Sequence, residues 1–72
     1  MLDVLLRHSD QLRRFSIREE GADGWEVLEE TEGGVVRRVR YDDWHRVERA
    51  RAMFDLTANV LRQQGWVYST NR

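Results

Sequence analysis

Residues 41–65 read YDDWHRVERARAMFDLTANVLRQQG, most of the longest glycine-free run, 35–64, and the glycine that ends it, in a chain with no proline. Val47, Ala50, Phe54, Ala58 and Leu61 recur in steps of three or four, which places them on one face of a helix. Asp42 or Asp43 suits the start, because a short carboxylate accepts from the first free backbone N–H groups and complements the positive end of the helix dipole. Gly65 suits the stop, where a left-handed residue is wanted, and Arg62 lies in the last turn, where a cation is favoured. The spacing therefore predicts one helix over about 43–64.

The strands are read outward from that helix. In 25–41, WEVLEETEGGVVRRVRY, two alternating runs flank Glu32-Gly33-Gly34, which predicts a hairpin of strands 25–31 and 35–41. A three-residue loop with a left-handed glycine sets Trp25 opposite Tyr41, Val27 opposite Val39, Glu29 opposite Arg37 and Thr31 opposite Val35. On the other face Glu26 meets Arg40, Leu28 meets Arg38 and Glu30 meets Val36. Two opposite-charge pairs then stand directly across the ladder. Upstream, Phe15 and Ile17 alternate with Arg14, Ser16 and Arg18, a half-buried strand over 13–19. The EGADG loop of 20–24 joins it to the hairpin. Residues 1–8 (MLDVLLRH) are apolar enough to be ordered but too short for periodicity to separate a strand from a helical turn, the strand being favoured, and a polar turn follows over 8–11. Trp66-Val67-Tyr68 folds back over the core edge, and 69–72 fray. The expected fold is a single α+β domain, an antiparallel meander of three or four strands packed against one long C-terminal helix.

Composition narrows the function. A chain of 72 residues buries only about 60% of the surface its unfolded form exposes, so its core is marginal. Cysteine is absent and the histidines are His8 and His45 alone, which sets aside disulfides, argues against structural zinc and leaves association as the usual remedy. The net charge of −1 gives no bulk attraction to nucleic acid or anionic membrane. Every basic residue is arginine, a bias that GC-rich codon usage produces and that favours bidentate pairing with carboxylates. No apolar run reaches the ~18 residues of a membrane span, and the N-terminus has no signal-peptide pattern. The expected compartment is the cytoplasm.

Four features could carry chemistry. Arg14, Arg18, Arg38 and Arg40 lie on one sheet face and could meet nucleic-acid phosphate, but Glu26 and Glu30 sit among them, so cross-strand pairing is the expected use. His45 and Glu48 share a helix face just after Asp42. Three or four ligands are needed for a metal, and the expected arrangement is a capped turn with His45 in solvent and Glu48 paired to Arg51. Trp25, Trp44 and Trp66 are expected to fill the core, Trp44 the most exposed of them. No nucleophile elbow, phosphate loop or zinc-ligand spacing occurs, so neither an enzyme nor a cofactor or small-molecule ligand is expected.

The fourth feature points to a partner. Met53, Leu56 and Val60 follow one another at i, i+3 and i+7 outside the core stripe, with Arg49 one turn before them. The combined apolar arc spans roughly 200°, about twice what one sheet face covers. The cover could be residues 1–6, a foreign protein or a second copy of the chain. A homodimer through Arg49, Met53, Leu56 and Val60 is the leading expectation.

Overall fold

The computed structural model describes residues 2–69. Five strands, β1 (Leu2–His8), β2 (Gln11–Glu19), β3 (Trp25–Thr31), β4 (Gly34–Tyr41) and β5 (Val67–Tyr68), form one antiparallel sheet. Their order is β4-β3-β2-β1-β5. A single helix, α1 (Trp44–Gln63), lies between β4 and β5 in the chain and across one face of the sheet. The meander of strands with a C-terminal helix is as expected. The extra reach comes from both ends: β1 is an interior strand, and β5 pairs with it through Leu6–Tyr68 and Arg7–Val67. The Ser69 N–H donates to the Leu5 carbonyl at 2.8 Å, so the expected fraying does not begin there; 70–72 lie outside the described residues.

Both helix ends follow from local chemistry. Of the two candidate aspartates, Asp43 is the cap, its carboxylate accepting from the His45 N–H at 3.0 Å. At the C-terminus Gly65 takes φ +101°. The Trp66 N–H reaches the Leu61 carbonyl and the Gly65 N–H that of Arg62, the paired bonds of a Schellman stop. Trp66 then packs on the cluster that contains Leu61.

The β3–β4 register agrees with expectation from Trp25–Tyr41 through Glu29–Arg37 and then departs from it. Glu30 pairs with Val35, not Val36, and Thr31 with Gly34, not Val35. Gly34 at φ +119° tightens the turn by one residue. Val36 becomes the extra residue of a bulge, which restores the alternation so that Arg37, Val39 and Tyr41 keep the helix-side parity.

The core is one layer between sheet and helix. Ile17, Val27 and Val47 form one buried group, with Leu2, Trp25, Tyr41, Ala50 and Phe54 against it. Leu6, Phe15, Ala58 and Leu61 form the other, with Val4, Phe54 and Trp66. Phe54 bridges the two, its ring 4.7 Å from Phe15. Leu6 is fully buried, so β1 supplies part of the core. Trp44 is the most exposed tryptophan, leaning on Trp25 at 5.2 Å, while Trp25 and Trp66 are half-buried at the core edge rather than inside it. On the opposite sheet face Leu28 is buried as well, its cross-strand neighbours being Ser16 and Arg38.

Candidate functional site

The path of α1 decides what is left bare. Its first half sits over Ile17 and Val27, near the Trp25–Tyr41 end of the hairpin from which the chain has just emerged. Its second half sits over Leu6 and Phe15. The helix thus crosses the sheet diagonally, from the β3–β4 end towards β1. The far end of the β3–β4 hairpin has no helix above it.

Along that side of α1 the second apolar stripe stands in the open. Met53 is 57% exposed, Leu56 60% and Val60 51%, and Arg49 is exposed beside them. Residues 2–6 cannot cover them, because they lie within the sheet as β1, paired with β2. Trp66 to Tyr68 cannot either, since Trp66 joins the Leu6 cluster and the next two residues pair with β1. Among the described residues nothing lies over the stripe.

Between this flank and the sheet runs an open cleft of about 390 Å³. Val27, Ala50, Met53 and Phe54 provide its apolar surface; Arg37 of β4 and Arg46 and Arg49 of α1 provide its charges, with Glu29 and Tyr41. The expected Glu29–Arg37 ion pair does not form. Glu29 is held instead by Arg13, at 2.7 Å, and both are half-buried. Arg13 lies on an interior strand and Arg37 on the exposed edge strand, and an ion pair is stronger where water is scarcer. The register itself carried a sign of this site: it sets Glu29 and Arg37 on the same face as Val27 and Val39, charges where a core face should be apolar.

The arginines considered for nucleic acid are differently placed. Arg14 grips Asp3 with two bonds, Nε to Oδ1 at 2.9 Å and Nη2 to Oδ2 at 2.7 Å. The bond from Arg14 holds the Asp3 carboxyl below its ordinary range, its charge adding to the effect, and Asp3 in turn raises Arg14. Arg38 lies 3.5 Å from Glu26, and Arg40 2.6 Å from Glu20. The expected Glu26–Arg40 pair is therefore displaced along the ladder, Glu26 reaching the diagonal neighbour and Arg40 reaching past the strand end. Arg18 has no carboxylate within 4.0 Å among the described residues.

At the start of α1, His45 and Glu48 are both exposed. The expected Glu48–Arg51 ion pair is absent from the described residues, as is any cluster of three metal-ligating side chains. No helix among them is long and apolar enough to cross a membrane. Compared with known protein families, with curated proteins and with solved structures, the chain matches none.

Proposed function

We propose that this chain is a small cytosolic protein-interaction domain, regulatory rather than catalytic, that pairs with a second copy of itself through the bare flank of α1. The observation that supports it is the uncovered row Met53, Leu56 and Val60, each more than half exposed. Arg49, Met53, Leu56, Val60 and Gln63 step by four, three, four and three residues, the spacing of a helix–helix seam. Charge selects the direction of pairing. A parallel pair sets the two Arg49 guanidiniums side by side. An antiparallel pair centred on Leu56 separates them by about 21 Å along the axis, at ~1.5 Å per residue, well beyond the screening length.

The magnitude sets the conditions of the test. Full burial of such a side chain contributes about 1.5–3 kcal/mol, and these are already half-covered, so six of them give roughly 6 kcal/mol. A micromolar complex requires about 8 kcal/mol. The dimer is therefore weak, with a dissociation constant above ~1 μM. Light scattering from micromolar to near-millimolar protein should show the mass rising towards twice the monomer, and Leu56→Arg with Val60→Glu should hold it at the monomer. A wild-type mass that stays monomeric over the whole range, or a double variant that associates as the wild type does, overturns this reading. The nucleic-acid alternative has less support, since Arg14, Arg38 and Arg40 already hold carboxylates that a phosphate must displace.

A further inference from the structure

We propose that the cleft between α1 and the β3–β4 hairpin binds a small organic oxyanion, a carboxylate or phosphate monoester carried on an apolar body. The argument starts from a contrast among the arginines. Arg13, Arg14, Arg38 and Arg40 each hold a carboxylate. Arg37, Arg46 and Arg49, which line one cleft, have none within 4.0 Å among the described residues. The one acid lining the cleft, Glu29, is engaged by Arg13 at 2.7 Å. Three arginines without a carboxylate partner thus line one cleft whose single acid is already paired. Like charges gathered over an apolar floor repel one another, and an anion seated among them relieves that repulsion.

The floor selects the rest of the ligand. Val27, Met53 and Phe54 offer hydrocarbon beneath the charges, and the volume of about 390 Å³ falls in the range of small-molecule sites, roughly 300–1,000 Å³. Guanidinium matches the two oxygens of a carboxylate or phosphate with parallel bonds. Arg37 comes from the sheet while Arg46 and Arg49 come from the helix, so the head group bridges the two layers and its body lies along the groove between them. A second copy is a poorer occupant of this cleft. The exposed helix face it would bring, Arg49 to Gln63 through Met53, Leu56 and Val60, carries no carboxylate. The cleft shares Arg49 and Met53 with the proposed dimer face, so the test below is run on protein dilute enough for light scattering to read the monomer mass.

The test is an amide chemical-shift titration of the intact protein with 3-phenylpropionate, phenyl phosphate, inorganic phosphate and the neutral 3-phenylpropanol. The expected result is that at least one of the two aromatic anions shifts Arg37, Arg46, Arg49 and Met53 together; which one binds more tightly names the head group. The alcohol and inorganic phosphate should each bind about tenfold more weakly, lacking respectively the charge-assisted pair and the apolar body. Arg37→Gln with Arg49→Gln should weaken the anion by about tenfold or more, with the circular dichroism spectrum unchanged because both side chains are exposed. Arg51→Gln, outside the cleft, should leave binding intact. Equal binding of the alcohol, shifts that map elsewhere, equal loss in Arg51→Gln, or no binding of either aromatic anion overturns the inference.

Discussion

Replacing Gly24 by alanine tests the joint between the β2–β3 loop and the start of α1. Gly24 sits at φ +103°, ψ −138°, a region open essentially to glycine alone. A Cβ there would lie 2.2 Å from the Tyr41 carbonyl oxygen, 3.0 Å from the Asp42 Cα and 3.1 Å from the Tyr41 carbonyl carbon. All three are backbone atoms, so no side chain can swing aside. The backbone strain costs about 1–3 kcal/mol. Moving Tyr41 away also weakens the Trp25–Tyr41 rung, about another 1 kcal/mol. Gly21, in the same loop at φ +58° with nothing within 4 Å of its Cβ position, serves as the control; alanine there costs only the left-handed strain, about 1–2 kcal/mol. Gly24→Ala should therefore lose ~3 kcal/mol and lower Tm by more than about 12 °C in a domain of this size, with Gly21→Ala well short of that. Urea unfolding followed by tryptophan fluorescence and thermal melts by circular dichroism read both. Equal losses for the two variants would refute the reasoning, because strand and loop would then tolerate the displacement.

Asp43→Ala removes the helix cap and should cost about 1 kcal/mol, read as a lowered Tm, while Asp42→Ala should cost a few tenths. Leu6→Ala leaves a cavity beside Phe15, Ala58 and Leu61 and should cost about 2–5 kcal/mol, enough to unfold much of so small a domain; a loss below 1 kcal/mol, about that of a single exposed contact, would place Leu6 outside the core. Acid should destabilise the fold through two carboxyls whose ionised forms are favoured in the folded state. Asp3 is held down by its bond from Arg14, and Glu32 by the Leu12 N–H that its carboxylate accepts at 2.9 Å. A depressed folded pKa gives stability that is present above the ordinary carboxyl value and lost as pH falls through the folded one. The urea midpoint should therefore drop below about pH 4, and Asp3→Asn with Glu32→Gln should flatten that drop; an unchanged slope would remove both contacts from the account.

Much of this was legible from the residues alone, for reasons of range. The Asp43 cap, the Gly65 stop and the apolar stripe of α1 act within one or two helical turns, so neighbours in sequence were enough to define them. The β3–β4 pairing was legible because a tight turn and a two-residue alternation leave one register that sets Val27 beside Val39 on the helix side of the sheet. Its last two rungs were not, since the bulge at Val36 depends on how Gly34 closes the turn. Residues 2–8 were too short for periodicity to separate strand from helical turn, and only pairing with β2 and β5 settled them as an interior strand.

The sequence by itself determined which residues of α1 are apolar and that they occupy more than one side. The tertiary structure decided which side stays bare. With β1 inside the sheet, the core extends towards Leu6, so the helix follows it across and leaves Met53, Leu56 and Val60 uncovered. The same diagonal exposes the far end of β3–β4 and turns Arg37, Arg46 and Arg49, distant or merely adjacent in sequence, into one cleft. Periodicity reports the faces of an element, but the neighbours each face receives depend on contacts between strands far apart in the chain.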